Sequence, residues 1–210
     1  MASCRLSCRF GFPIHGCVDS FSRRVLWLEI HPSNNDPDIV LQNYLVRCIA
    51  TAAHDHSSLA QRVVDELNGV PRFVRSDDGS ENVSVAASQR FFRFHHDDEM
   101  AGEKSFATGP STANQRVESF WNFFRRYFLQ HWIETFEQLL STGELDLSDE
   151  VCKMLLQFVF LPLLQRELAD WVQLWNSRRI RKNRRVHVPS GRPDELFWQP
   201  ENADAQSFLH

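Results

Sequence analysis

The chain has 210 residues, a net charge of −4 and 42% hydrophobic residues, a composition typical of an ordinary folded protein. This length accommodates one domain with a sizeable core, or one domain with helical additions. The net charge does not indicate nucleic-acid binding, although the distribution of basic residues matters more than their sum. No apolar run approaches the roughly 20 residues of a membrane span, and the first residues lack the apolar stretch of a secretory signal.

Five cysteines are spread along the sequence without a CxxC pair. The spacing of Cys4 and Cys8 could serve zinc, but no second ligand pair follows at zinc-finger spacing. Unpaired thiols of this kind are typical of a reduced intracellular protein. We therefore expect a soluble protein of the nucleus or the cytoplasm.

The order of elements predicts an α/β protein with a helical second half. Short runs of β-branched and aromatic residues predict strands, and apolar residues spaced three and four apart predict helices. The predicted elements are a hairpin over residues 14–20 and 25–31, helices over 37–53 and 59–67, a strand over 70–76, a helix over 83–94, a mobile polar loop over 95–113, and helices over 114–140 and 149–176. Pro162 is expected to interrupt or kink the last helix, and Gly191 to open a loosely structured tail.

Two carboxylates stand at positions where element ends can meet. Asp77 follows the predicted strand directly, and Glu118 lies in the first turn of a predicted helix. If they converge, they suit Mg²⁺, which prefers oxygen ligands, and phosphoryl transfer on nucleic acid. The alternatives are an Asp that caps the turn before Gly79 and an ordinary Glu favoured by the helix dipole.

The helix that carries Glu118 has two different faces. Helical spacing places Asn122, Arg125 and Arg126 beside Glu118, where they could hold a phosphate backbone. The opposite face is predicted to be core rather than a base-stacking platform; it comprises Phe120, Phe124, Tyr127, Phe128 and Trp132.

A basic run over residues 178–185 is the strongest electrostatic feature of the sequence. Its six basic residues are Arg178, Arg179, Arg181, Lys182, Arg184 and Arg185. Such a run binds phosphates with marked salt dependence, or serves as a nuclear localisation signal, or is a solvated helix end.

Five blocks of sequence, in this order, resemble the catalytic core of retroviral-type integrases and related DDE transposases, and more narrowly the integrase-core proteins of animal genomes. The blocks are residues 14–28, 33–36, 75–82, 114–126 and 191–196. The resemblance implies a ribonuclease-H-like mixed sheet with flanking helices and a helical C-terminal extension. It also implies DNA strand transfer dependent on Mg²⁺ or Mn²⁺. On this basis we expect a core domain over 1–140, a helical extension with a basic end over 141–190, and a loosely ordered tail over 191–210.

The resemblance assigns two of the three metal-binding acids of the family. Asp77 matches the second catalytic Asp, and Glu118 matches the closing Glu. The first Asp belongs to a Trp-x-x-Asp motif on the first strand, and residues 1–9 contain no Asp, Glu or Trp. Asp19 aligns instead with the turn of the hairpin. We therefore expect an N-terminally incomplete core that lacks its first strand and is inactive or nearly so.

Three hypotheses follow from the sequence. The first is an integrase-core-like domain related to DNA strand transfer and impaired by the missing Asp. The second is a non-catalytic nucleic-acid-binding or protein-interaction module derived from a mobile element, and the third is a chain that does not fold stably. DNA, or RNA, is the predicted partner, a homo-oligomer is left open, and no membrane partner is expected.

Overall fold

The computed structural model describes residues 2–4, 9–32, 37–48, 70–77, 79–109, 115–181, 189–203 and 205. These residues form two compact units. The first unit lies within residues 35–113, and the second combines described residues of 2–34 and 114–203. Both contain helices and strands, which confirms the predicted mixed α/β class. The predicted helix over 59–67 lies outside the described residues.

A three-stranded antiparallel sheet begins the second unit. Its strands are β1 (Ala2–Cys4), β2 (Ile14–Val18) and β3 (Val25–Ile30), in the order β1-β2-β3. The β2–β3 pair confirms the predicted hairpin. The expected absence of a strand before this hairpin is wrong, because β1 pairs with β2 along its whole length. Strand β1 could not be predicted from the sequence, since three residues are too few to show an alternation.

The helical segment after residue 114 contains a change of helix type. It consists of α3 (Gln115–Phe124), a π-helical turn (Arg125–Leu129) and α4 (Gln130–Ser141), where one helix was predicted. Gly143, with a φ of 76°, follows the end of this segment, and its N–H donates to the carbonyl of Leu140 at 3.2 Å.

The longest helix is α5 (Glu150–Ser177), with 28 residues. Asp149 caps its first turn, because its Oδ1 accepts a hydrogen bond from the N–H of Val151 at 3.0 Å. The predicted interruption at Pro162 is not observed, and α5 is a single helix. Proline removes one backbone hydrogen bond, and the core contacts of the neighbouring Leu161 and Leu164 hold this part of the helix in place.

The core of the second unit lies between the sheet and these helices. Aromatic side chains spaced four residues apart on α3, the π turn and α4 fill it, as predicted for that face. Tyr127 is the exception: it is 61% exposed, and its ring packs against that of Phe123 in a tilted arrangement with the centroids 4.2 Å apart. The buried members include Phe12, Ile14, Leu28, Ile30, Phe120, Phe124, Phe128, Trp132, Phe136, Leu164 and Leu168.

The segment after Gly191 is more ordered than the sequence predicts. It forms α6 (Pro193–Trp198) and a 3₁₀ turn (Pro200–Ala203). Asp194 accepts a hydrogen bond from Nε of Arg24 at 2.8 Å, and Leu196 is buried. An ion pair to a distant residue and a buried side chain hold a segment whose composition alone suggests a loose tail.

The first unit contains α1 (Pro37–Cys48), β4 (Val74–Ser76), α2 (Val83–Phe92) and β5 (Phe106–Thr108). Strands β4 and β5 are parallel, with Val74 opposite Phe106. The prediction of a polar loop throughout 95–113 is therefore wrong for Phe106–Thr108, which form β5. The polar composition of this segment concealed a strand of only three residues, which forms because it pairs with β4.

A buried amide joins the helices of the first unit. Tyr44 on α1 donates its hydroxyl hydrogen to Oε1 of Gln89 on α2. The Nε2 of Gln89 donates to the carbonyl of Pro71 at 2.6 Å, just before β4. Both polar ends of a fully buried side chain are thus satisfied.

Candidate metal centre and nucleic-acid interface

Asp77 stands where the sequence places it, immediately after β4. Its side chain is half-buried, and its Oδ1 accepts a hydrogen bond from Nδ2 of Asn82 at 2.9 Å. The hydroxyl of Ser76 donates to the Asp77 carbonyl at 2.9 Å. A 3₁₀ turn (Ser80–Asn82) folds Asn82 back toward the strand end and leads into α2. The Asp77 carboxylate is therefore held rigidly at the end of β4, and its Oδ1 already has a partner.

Glu118 lies in the first turn of α3, in the second unit. It is half-buried between Val117 and Phe120, which face the core. Asn122, Arg125 and Arg126 follow on the same helical segment, and all three side chains are exposed. Arg125 and Arg126 open the π turn, a feature often found at functional sites.

Asp19 has a structural role in the β2–β3 turn. Its Oδ2 accepts hydrogen bonds from both the N–H and the hydroxyl of Ser22, at 2.7 and 2.6 Å. Its own N–H donates to the Arg24 carbonyl at 2.8 Å, and Arg23 takes a φ of 64°. Capping of this kind is what an Asp provides in a tight turn. The Asp19 carboxylate thus stabilises the hairpin turn, the position to which the sequence resemblance assigns it.

The donor set for a metal is incomplete among the described residues. Integrase cores of the kind suggested by the sequence hold their metal with three carboxylates, and β1 consists of Ala, Ser and Cys. No group of three or more His, Cys, Asp or Glu side chains that could hold a metal ion occurs within the part of the chain that the structure describes. Asp78 and the side chain of Glu81 lie outside that part. The described residues therefore do not fit a three-acid site.

Arg178, the first residue of the basic run, is stacked against aromatic rings. Its guanidinium carbon lies 3.2 Å from the ring centroid of Trp175 and 5.5 Å from that of Phe123. Burial lowers the pKa of Arg178 to about 10, and the like charge of Arg23 adds to this effect. The side chain is still charged at neutral pH, and it makes a cation–π contact with each of these two rings.

Other residues of the basic run differ from Arg178. Arg179 and Arg181 follow the end of α5 and are exposed. Ile180 between them pairs with Gly191 in an isolated β-bridge, which fixes the backbone here. Lys182, Arg184 and Arg185 lie outside the described residues. Two arginines are thus placed to contact an external anion, and one is mainly engaged within the protein.

Trp175 and Asn176, at the end of α5, have structural roles beyond the packing that could be expected from the sequence. Asn176 is buried, and its side-chain amide forms hydrogen bonds with the backbone of Val25 on β3. The indole Nε1 of Trp175 donates to the carbonyl of Arg23 at 2.8 Å. These contacts tie the end of α5 to the hairpin.

Comparison with known families gives one result for nearly the whole chain. A family model described as "Integrase core domain" matches residues 2–199. The chain therefore belongs to the integrase core domain family, as the sequence blocks suggested. No curated protein and no solved structure gave a match.

Membership of this family makes the chain a DNA-integration-related domain. Domains of this family generally depend on a divalent metal and generally bind DNA. Among the described helices, including the 28 residues of α5, none combines the length and apolarity that a bilayer crossing requires.

Proposed function

We propose that this chain is an integrase-core domain of the ribonuclease-H-like type that has lost efficient DNA strand transfer. Two acids, Asp77 and Glu118, would be the remaining metal ligands, with Mg²⁺ or Mn²⁺ as the ion. The observation that carries the proposal is the engagement of Asp19 by Ser22. Within residues 1–28 the sequence has one acidic residue, Asp19, and neither β1 nor β2 contains a carboxylate.

The order of strands supports the ribonuclease-H-like assignment. Three antiparallel strands come first, and a helix then leads to a parallel pair, β4 and β5. The carboxylate of Asp77 follows the first strand of this parallel pair, at the sheet edge where ligands of α/β proteins collect. Helices α3 to α5 supply the helical second half that the family resemblance implies.

The loss of one acid has a direct electrostatic consequence. A bound divalent ion would stabilise the charge that develops on the attacking and leaving oxygens of a phosphodiester. Each carboxylate offsets part of the cost of dehydrating that ion, so two acids hold it more weakly than three. One carboxylate oxygen of Asp77 also accepts a hydrogen bond from Asn82, which leaves it less available to a metal ion. Both effects favour weak ion binding and little or no catalysis.

A strand-transfer assay tests the proposal. The full chain would be incubated with a labelled DNA duplex and Mn²⁺, beside Asp77→Asn and Glu118→Gln variants. We expect no product above that of the two variants. Product formed by the unaltered chain and abolished by Asp77→Asn would overturn the proposed loss of activity.

A second candidate function is a nucleic-acid-binding module without catalysis, derived from a mobile element. Exposed Asn122, Arg125 and Arg126 on one helical segment, with exposed Arg179 and Arg181, support it. Phosphate contacts release counterions, so binding would weaken steeply with salt. In the sequence-based hypothesis, Lys182, Arg184 and Arg185 add to this surface.

Fluorescence anisotropy with a labelled DNA or RNA distinguishes this function from binding through a metal site. We expect Asp77→Ala and Glu118→Ala to leave binding unchanged. Arg179→Ala and Arg181→Ala should each reduce the slope of log affinity against log salt by about 1. Binding that depends on Asp77 and needs a divalent ion would contradict it.

The basic run also supports a proposal about location. We propose that residues 178–185 direct nuclear import, because clustered Lys and Arg side chains are the usual signal for it. A fluorescent protein fused to the chain should enter the nucleus. It should stay in the cytoplasm when Arg184 and Arg185 are replaced by Ala.

A further inference from the structure

Two exposed aromatic rings lie against each other on the helical segment that carries Glu118. Tyr127 is 61% exposed and Phe123 is 39% exposed, and their ring centroids are 4.2 Å apart. The sequence predicted Tyr127 in the core, but the π turn (Arg125–Leu129) carries it outward. Such a ring contributes little to folding, because the hydrophobic effect depends on the apolar area removed from water. Its exposed surface is therefore open to a ligand.

The pair is held in place by residues at the end of α5. The ring of Trp175 meets that of Phe123 edge-on, with the centroids 5.2 Å apart. The guanidinium carbon of Arg178 lies over the Trp175 ring and 5.5 Å from the Phe123 centroid. We call Phe123, Tyr127 and Trp175 the outer aromatic cluster. Rings that are fixed before binding lose little conformational freedom when a ligand packs on them.

The two stretches of chain that form this cluster contain no acidic residue. Neither residues 119–133 nor residues 171–193 include an Asp or a Glu. Exposed Arg126 adjoins Tyr127, with its guanidinium carbon 5.6 Å from the ring centroid. Arg179 is exposed just beyond the end of α5. Aromatic rings beside cations without an acidic neighbour in the chain favour an anionic ligand that also has flat groups to stack.

We propose that the outer aromatic cluster binds unpaired bases of a single-stranded nucleic acid, which stack on Tyr127 and Phe123. Arg126 and Arg179 bind the adjoining phosphates. The inference rests on the nucleic-acid-binding function proposed above and names the class of its ligand. Every base has a π face, and stacking on aromatic side chains tolerates any sequence.

The same chemistry argues against two other ligands. In a duplex the neighbouring bases cover the π faces, so the cluster selects unpaired nucleotides over paired ones. An apolar protein surface fits less well, since the centre of a protein interface is depleted of charged residues. The cluster has arginines at both of its edges.

Fluorescence anisotropy with two labelled oligonucleotides of equal length separates stacking from phosphate contacts. One is a single-stranded DNA, and the other has abasic units in place of its central nucleotides, so that their charges are equal. We expect the full chain to bind the first about tenfold more tightly, because one stacked base contributes about that factor. Tyr127→Ala should remove this difference. Tyr127→Trp, which keeps a flat ring, should retain it.

Two further variants make the result specific. Phe91→Ala removes a ring that is 76% exposed in the first unit, and it should leave both affinities unchanged. Arg126→Ala should lower the slope of log affinity against log salt by about 0.7 for both oligonucleotides, because it removes a phosphate contact, and the ratio of their affinities should stay the same.

The outcomes distinguish this inference from the function on which it rests. Equal, salt-dependent binding of the two oligonucleotides by the unaltered chain would overturn the inference alone and leave the exposed rings to a protein partner. Binding of neither oligonucleotide would overturn the inference together with the nucleic-acid-binding function.

A fluorescent base tests the stacking contact independently of affinity. Aminopurine, placed in the single strand between abasic units, has no neighbouring base to stack on, and its fluorescence falls when it stacks on an aromatic ring. At saturating concentrations the unaltered chain should quench it more strongly than Tyr127→Ala. The two proteins should melt alike, since the Tyr127 ring is mostly exposed. Equal quenching by both would overturn the assignment of the stacking contact to Tyr127.

Discussion

The Asn176 side chain forms two hydrogen bonds with the backbone of Val25. The Val25 N–H donates to Oδ1 of Asn176 at 2.8 Å, and Nδ2 of Asn176 donates to the Val25 carbonyl at 3.0 Å. Both residues are buried, and 151 positions of sequence separate them. The Asn176 amide thus makes the same kind of hydrogen bonds at the edge of β3 that a neighbouring strand would make. These bonds fix the end of α5 to the sheet.

Replacing Asn176 by Ala should lower the free energy of unfolding by about 2–4 kcal/mol. The reason is that a buried N–H and a buried carbonyl both lose their partners, and each costs about 1–3 kcal/mol when unsatisfied. Urea unfolding followed by tryptophan fluorescence measures the change. Asn122→Ala, at an exposed position of α3, is the control and should cost less than about 0.5 kcal/mol. A loss for Asn176→Ala no larger than that of the control would contradict the role assigned to the pair.

Secondary structure could be predicted from the sequence where residues close together in the chain determine it. The β2–β3 hairpin, β4 before Asp77, and the helices α2 to α5 all follow local periodicity or turn residues, and the structure confirms them. The core face of α3 and α4 was predicted from the spacing of Phe120, Phe124 and Phe128. Tyr127 was misassigned because the π turn changes the rotation per residue after Arg125.

Features that depend on distant residues could not be predicted. Strands β1 and β5 have three residues each, and they exist because β2 and β4 offer them hydrogen-bonding partners. The order of α6 likewise depends on the contact of Asp194 with Arg24, 170 positions away in the sequence. For the candidate site, the place of Asp77 at a strand end was predictable. Its hydrogen bond with Asn82 was not, because it requires the turn between them to close.

Asp98 makes stability depend on pH in the acidic range. The hydrogen bond from Arg93 holds the pKa of Asp98 below the ordinary value of 3.8, and the backbone N–H of Met100 acts in the same direction. A carboxyl group whose pKa is lowered by folding stabilises the fold above its unfolded pKa. This contribution is therefore fully present at neutral pH and is lost as the pH falls from about 4 through the lowered value.

The measurement is the difference in melting temperature between the unaltered protein and Asp98→Asn at several pH values. The unaltered protein should melt higher at pH 6, and the difference should shrink below pH about 4. Asp97→Asn, at the adjacent exposed position, is the control and should show no such trend. An Asp98→Asn difference that stays constant down to pH 2.5 would contradict the assigned role of the Arg93 contact.

The Asp19–Ser22 contact leads to a prediction that distinguishes two roles for Asp19, stabilising the hairpin turn and binding a metal ion. Asp19→Ala should lower the free energy of unfolding by about 1–2 kcal/mol, because the Ser22 N–H and hydroxyl lose their acceptor. A double-mutant cycle with Ser22→Ala should give a coupling of about 0.5–1.5 kcal/mol. Millimolar Mn²⁺ should not change the melting temperature of the unaltered protein more than that of Asp19→Asn. Stabilisation by Mn²⁺ that disappears in Asp19→Asn would make Asp19 a metal ligand instead.

Arg178 and Arg179 are adjacent in the basic run, and the structure gives them different roles. Arg178 lies over the ring of Trp175 and near that of Phe123, so Arg178→Ala should lower the free energy of unfolding by about 1–2 kcal/mol. Arg178→Lys should recover only part of it, because an ammonium group lacks the planar face that stacks on the rings. Arg179→Ala should leave stability unchanged, since its side chain is exposed.

Binding to a labelled oligonucleotide should show the opposite order for these two arginines. Arg179→Ala should reduce both the affinity at low salt and the slope of log affinity against log salt, because an exposed guanidinium can neutralise a phosphate. Arg178→Ala should change that slope little, because the Arg178 guanidinium is engaged with the rings of Trp175 and Phe123. Equal losses of slope for the two variants, with no loss of stability in Arg178→Ala, would mean that Arg178 leaves the aromatic cluster to bind phosphate. The two measurements together therefore decide whether the basic run begins with a structural arginine or with a ligand-binding one.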